Sequence, residues 1–296
     1  MDTITNQVRS LKSKVQSPND EILSDFGFYW REENGIKVLV CRALEENRFI
    51  NGFSTRLGGV SPFPKNDLNL AGFDEDTAEN IFENRKRFLQ VFGNDFQLVT
   101  AWQVHGDDVK IVKSAADSKD GSAKFDALVS NLGNVLVGVK TADCAPILLG
   151  DAKTKAFAAV HAGWRGTASS IVVKAIEKMR EEFDTKAENL ICAIGAAATC
   201  KNYEIGQDVI DAFRENFSSS EHLFTPTRSN HALIDLPLAN QEQLLAAQVL
   251  PENIYIAPFC TMERTDLFFS YRIEKKLYGK TGRLLSVIGK TYEGKS

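Results

Sequence analysis

The chain lacks the cysteine pairs of a metal ribbon or a disulfide framework. Its five cysteines (Cys41, Cys144, Cys192, Cys200 and Cys260) are odd in number, scattered and never in a CxxC pair, the usage of a reduced, cytoplasmic chain. No apolar run reaches ~18 residues, so no membrane-spanning helix is expected. There is no basic stripe. The net charge is -4 and the isoelectric point about 5.7, which argues against a nucleic-acid or membrane partner. The opening MDTITNQVRSLKSKVQSPND is polar and lacks the apolar middle of a signal peptide. Residues 1–20 therefore read as a frayed or helical tail. No Pro/Gly/Ser-rich linker, repeat or low-complexity tract divides the rest of the chain, so residues 21–296 read as a single catalytic domain. Histidine is scarce as well: His105, His161, His222 and His231 are the whole supply.

The composition that is present, 43% hydrophobic and 25% charged, is that of a globular protein with ample core material. Residues 25–56 alternate apolar and polar and read as strands, with a hairpin turn at Asn34-Gly35. A Gly-rich loop runs from Arg56 to Pro62. Apolar spacing predicts a helix over residues 76–92, capped by Asp76 or Thr77 and interrupted by Arg85. LVTAWQVHGDDVKIV reads as two strands about a tight turn at Gly106-Asp107, with His105 at the turn. Strands are expected at 135–139, 147–149, 156–160, over LICAIGA, at 254–259 and at 284–288. Helices are expected at 208–217, at 239–248 and after a cap at Thr167 or Ser169, the last with Val172, Ile176, Met179 and Phe183 on one face. No steady βαβ rhythm appears. The fold class is α+β, with mixed β-sheets forming a central core flanked by helices.

The stretch Val137 to Gly166, VGVKTADCAPILLGDAKTKAFAAVHAGWRG, carries the chemistry. Its apolar runs end at Asp143-Cys144 and at His161, and active sites collect on loops at strand ends. With His105 at a third strand end, two imidazoles and a thiolate suit zinc. Three protein ligands leave a fourth position open, as in catalytic zinc sites. Zinc lowers the pKa of a bound water to ~7. Each of the three side chains also has a structural reading when taken alone. Gly163-Trp164-Arg165-Gly166, between a strand and a helix start, has the form of an anion-binding loop, to which Arg165 would add a forked contact. A glycine turn with a solvated Arg is the alternative, and Arg56, between Ser54 and Gly58-Gly59, has the same two readings. Asp143 is either an acid/base or a group that orients a ligand. Cys41 and Cys192 read as core thiols, His222 and His231 as exposed.

The segments NGFSTRLGGVS, DLNLAGFDEDTAENIFENRKRF, WQVHGDDV, TADCAPILL, AAVHAGWRG, YEIGQDV, DLPLANQEQLL and CTMERTDLFFSYRIEKKLYGKTGR occur in that order. Together they resemble the YfiH family, also called the laccase-domain or polyphenol-oxidase-like family, from Asn51 to Lys290. The resemblance implies a catalytic zinc on His105, Cys144 and His161. It implies phosphorolysis of adenosine, inosine and methylthioadenosine, with adenosine deaminase activity besides. The partners would be purine nucleosides and phosphate. The fold would be similar to that of bacterial toxin deamidases with a Cys-His pair. On this reading Cys144, Asp143 and Arg56 are catalytic, while Ser54, Arg56 and Arg165 take phosphate. Arg272 and Arg283 either line the same pocket or form ion pairs, and Cys260 either approaches it or simply ends a strand. Trp102 and Trp164 either stack on a base or pack. Two departures stand out: Ile194-Gly195-Ala196, where a Pro usually follows the Gly, and Ala247-Gln248-Val249, where Ala-Gly-Val is common. The H-x-E and P-C-x-x-C motifs of zinc nucleobase deaminases are missing.

Three other readings compete. Two His, one Cys and a Met such as Met262 resemble a blue-copper set, giving a copper-dependent polyphenol oxidase. Four histidines are too few for laccase copper clusters, so zinc is preferred. A metal-free hydrolase would use Cys144 as nucleophile and His105 or His161 as base. A zinc-stabilised binding protein needs no turnover at all.

Overall fold

In a computed structural model of the protein, residues 20–63, 67–71, 76–93, 96–114, 116–117, 124–217 and 219–292 are described. Apart from Asp20, the tail expected over residues 1–20 lies outside them. The strands, in chain order, are β1 (Phe28–Glu33), β2 (Ile36–Cys41), β3 (Ile50–Ser54), β4 (Gln97–Thr100), β5 (Val109–Ile111), β6 (Ala127–Ser130), β7 (Val135–Thr141), β8 (Ala145–Asp151), β9 (Phe157–Ala162), β10 (Leu190–Ile194), β11 (Glu204–Gly206), β12 (Phe224–Pro226), β13 (His231–Ile234), β14 (Ile254–Ile256) and β15 (Leu284–Lys290). They form two six-stranded mixed sheets, ordered β1-β2-β3-β15-β7-β4 and β14-β10-β8-β9-β6-β5, and a small antiparallel sheet β11-β13-β12. The fold is α+β, as the lack of a βαβ rhythm suggests.

Side-chain alternation sets the layers. Val135, Val137 and Val139 of β7 share a core with Leu128, Leu148, Phe157 and Ala159 of the second sheet. Leu136 points the other way, joining Val38, Val40, Leu285 and Val287 against Phe88 of the helix Ala78–Gln90. On the far side of the second sheet, Val129, Ile147, Leu149 and Val160 meet Ile171, Val172, Ala175, Ile176 and Met179 of the helix Ile171–Phe183. The order is helix, sheet, sheet, helix. Strands buried on both faces read as apolar runs instead of clean alternation, which is the pattern of β7 to β10.

Local expectations hold where the chemistry is local. Asn34 and Gly35 have φ of 51° and 80° between strands paired Glu33 to Ile36, the left-handed pair that a two-residue hairpin needs. Thr77 caps the helix Ala78–Gln90 by accepting from the Asn80 N–H at 3.3 Å. The second cap differs. Thr167 lies inside a separate helix, Trp164–Ala168, and Ser170 stands at the N-cap of Ile171–Phe183 with φ 59° and no side-chain bond. Long-range pairing overrides one expectation. β4 and β5 are not a hairpin: β4 runs parallel to β7 in the first sheet, and β5 runs parallel to β6 in the second. The residues between them, 101–108, cross from one sheet to the other. The helix Tyr271–Tyr278 and the three-stranded sheet are not among the elements expected from the sequence. No helix among the described residues is long and apolar enough to cross a membrane.

Phe157 is fully buried between the sheets, with Phe49 edge-on at 6.5 Å. Phe157→Ala should cost about 3–5 kcal/mol, read from the midpoint of denaturant unfolding.

Candidate metal centre

β8 and β9 pair antiparallel with Ala145 opposite Ala162 and Pro146 opposite His161. This register places Cys144, just ahead of β8, beside Gly163, just after β9. A Cβ on Gly163 would lie 3.0 Å from Cys144 Sγ and 3.1 Å from His105 Cδ2. The glycine thus lets the backbone come up against two functional side chains. Gly166 does the same for the crossing loop, since its Cβ would sit 3.0 Å from the Gly106 carbonyl oxygen.

His105 arrives on the crossing loop with φ 60°. A carboxylate that sequence reasoning missed holds the loop there. Asp126, one residue ahead of β6, accepts from the backbone N–H groups of Val104, His105 and Gly106 at 3.1, 3.0 and 2.8 Å. Its Oδ1 also accepts from His161 Nδ1–H at 2.7 Å, and its carbonyl accepts from the His161 N–H at 2.8 Å. The carboxylate fixes the tautomer and leaves His161 Nε2 for a ligand, the usual support of a metal-binding His.

Ligand atoms of His105, Cys144 and His161 all lie within 4.8 Å of one another. The two rings meet edge to face, centroids 4.8 Å apart. A tetrahedral ion with bonds of 2.0–2.3 Å holds its donors roughly 3.3–3.8 Å apart, so the set fits one ion with little closure. Electrostatics with no ion present favours a thiolate on Cys144 and a proton on His161, which a bound ion would displace. Burial pushes the Cys144 thiol up, but the charge of His161 and a hydrogen bond from His105 outweigh it, leaving Cys144 at about 6. Burial pushes His161 down, but Cys144 and then Asp126 reverse this and raise it to about 9. Among the described residues no other group of three or more such side chains could hold a metal.

The other expected site residues separate. Asp143 has φ 84°, and its carboxylate turns to structural donors. Oδ1 accepts from Thr261 Oγ1 and Oδ2 from the Arg272 N–H, each at 2.7 Å. Burial raises its pKa. Neither of these partners is one of the three candidate ligands. Arg56 does not fit the phosphate-binding and catalytic reading. It is 5% exposed, paired doubly to Asp67 and singly to Glu274, and it donates to the Thr265 carbonyl. Two carboxylates already neutralise it. Ser54 is buried in β3, where its Oγ accepts from the Leu285 N–H at 2.9 Å. Arg165 is exposed and stacks on Trp164 at 4.2 Å, but the helix behind it, Trp164–Ala168, is too short to make an anion-binding terminus. Trp102 is 56% exposed. Cys41, Cys192 and Cys260 are buried, and all five cysteines are free. His222 bonds Glu242 and His231 bonds the Ser229 carbonyl, both at the exposed surface.

Residues 50–291 match the family model described as multi-copper polyphenol oxidoreductase laccase. The chain belongs to this family. A purine nucleoside phosphorylase of Staphylococcus saprophyticus is 35% identical over 258 residues, covering 83% of this chain and 94% of its own length. Another, of Bacteroides thetaiotaomicron, is 32% identical over 243 residues, covering 79% and 89%. The structure of YfiH from Bacillus licheniformis superposes with a TM-score of 0.81 at 25% identity, covering 88% of this chain and 99% of its own. YlmD from Geobacillus stearothermophilus gives 0.80 at 30% identity, covering 88% and 98%. YfiH is the name of the family that the motifs resemble. The copper clusters in the family's description have no counterpart among the described residues, where one three-ligand group stands.

Two variants separate ligand geometry from folding. Asp126→Asn should weaken metal affinity about 10- to 100-fold, measured by competition with a chromogenic chelator. Gly163→Ala should lower bound metal per chain while far-UV circular dichroism stays unchanged.

Proposed function

We propose that the protein is a purine nucleoside phosphorylase that uses zinc held by His105, Cys144 and His161. Its substrates are adenosine, inosine and methylthioadenosine with inorganic phosphate, and it also deaminates adenosine. The observation that carries this is the convergence of the three side chains, with His161 locked by Asp126. The relatives named purine nucleoside phosphorylase support the reaction class. One thiolate and two imidazoles make a donor set that zinc accepts, with a place left for a substrate or water. When bound, zinc supplies Lewis acidity to an oxygen or nitrogen of the substrate.

The chain's own residues do the rest. Asp126 fixes His161 and the His105 loop. The low pKa of Cys144 keeps it a thiolate at neutral pH. Asp143 is a positioning residue, since both of its oxygens already hold donors. Substrate enters on the exposed His105 side. Trp102, exposed and three residues before His105, offers an aromatic face to a purine. The five free cysteines support a cytoplasmic location.

A second reading has its own observation. Without metal, a low-pKa Cys144 beside a high-pKa His161 is the ion pair of a cysteine nucleophile and its base. One set of assays decides. Elemental analysis of purified protein should give about one zinc per chain. Adenine or hypoxanthine should appear from adenosine or inosine only with phosphate, and adenosine alone should yield inosine. Chelation should abolish both reactions. Zinc-loaded protein that turns over no purine nucleoside would contradict the proposal. Turnover that survives chelation but is lost on alkylation of Cys144 would favour the hydrolase.

A further inference from the structure

Asp143 carries a second consequence, because the donor it holds is the backbone of an arginine. Arg272 is the second residue of the helix Tyr271–Tyr278, whose N-cap, Ser270, accepts from the Ile273 N–H. The Arg272 N–H is bound by the residue that precedes Cys144 in the chain. Its guanidinium is fixed at two points. Nη1 donates to the Glu204 carbonyl oxygen at 2.8 Å, and Cζ lies 4.9 Å from the centre of the Tyr203 ring. The segment bearing Tyr203 is itself tied to the centre, since the Ala198 N–H donates to the Asp143 carbonyl at 2.8 Å and the Tyr203 N–H to the Thr199 carbonyl at 3.0 Å. Asp143, the residue before Cys144, therefore ties both the Tyr203 segment and Arg272 to the chain beside the metal ligands.

Arg272 differs from Arg56 in its charge balance. Arg56 faces two carboxylates. The Glu204 carboxylate goes to Arg228 and Thr227, so only its carbonyl serves Arg272. Among the described residues no carboxylate lies within ion-pair distance of the Arg272 guanidinium, which is exposed to solvent. A planar fork held by a carbonyl and a ring has already lost much of its rotamer freedom. It keeps further N–H donors for a tetrahedral dianion.

We propose that Arg272 is the phosphate-binding residue of this centre, taking inorganic phosphate on the N–H groups that Glu204 does not use. Its part in turnover rests on the phosphorylase reading, whereas phosphate binding itself does not. The sequence alone offers Arg56 and Arg165 for this task. Arg56 is excluded by its two carboxylates.

The test uses full-length, metal-loaded protein with Arg272→Gln and Arg272→Lys. Arg272→Gln should raise KM for phosphate by about tenfold or more, the loss of a charged hydrogen bond. Metal content, melting temperature and KM for nucleoside should change little. Arg272→Lys should fall between, keeping the charge but not the fork. A purely structural arginine would instead shift melting temperature or metal content. An unchanged KM for phosphate would overturn the proposal. Calorimetric titration with inorganic phosphate separates the two readings. If the unmodified protein shows no phosphorolysis, the phosphorylase reading fails. The Arg272 inference then stands if phosphate binds the unmodified protein and not Arg272→Gln, and falls if both bind equally or neither binds.

Discussion

Asp126 accepts hydrogen bonds from three consecutive backbone amides and from His161 Nδ1 while 1% exposed. Burial alone would push its pKa up. The bond and charge of His161 and the amides of Gly106 and Val104 outweigh this, so the carboxylate stays ionised. Two parts of the site depend on that charge. The crossing loop has no strand partner for its amides at 104–106, and Asp126 supplies one to each. The imidazole of His161 is held in one tautomer with Nε2 turned to Cys144 and His105. One carboxylate therefore sets two ligands, one on the crossing loop and one on β9.

Glycines complete the approach that Asp126 directs. Gly163 admits Cys144 and His105, and Gly166 admits the carbonyl of Gly106. The register of β8 on β9 brings Cys144 to the same sheet end. A second charged arrangement frames the other side. Arg56 joins Asp67 to Glu274, and Glu274 belongs to the helix Tyr271–Tyr278 that also bears Arg272. Asp143 secures the first turn of that helix. A buried pair of this kind is costly to break at one partner, so its role is to hold the helix in place.

Much of this was legible in the sequence, for physical reasons. β7, β8 and β9 are buried on both faces, so their apolar runs stop where the reactive residues begin, and Cys144 and His161 stand out. Asn34-Gly35 and Thr77 report local geometry and keep the roles their sequence context predicts. Asp126 was not legible. It is a lone acid before a short apolar run, and its value depends on β4 and β5 lying in different sheets, a long-range pairing that no local pattern encodes. Arg56 is misleading for the same reason. A cation in a Gly-rich loop fits an anion receptor or a buried ion pair, and Glu274, one of its partners, lies far along the chain. The helix Tyr271–Tyr278 hides behind its charges, although Gly279 at φ 75° closes it in the ordinary way.

The proposed centre shares a single ion among one sulfur and two imidazole nitrogens. X-ray absorption at the zinc edge of the loaded protein tests this most directly. The expected shell holds one sulfur at about 2.3 Å, two imidazole nitrogens at about 2.0–2.1 Å and one further light atom. A shell with no sulfur, or with more than one, would contradict it.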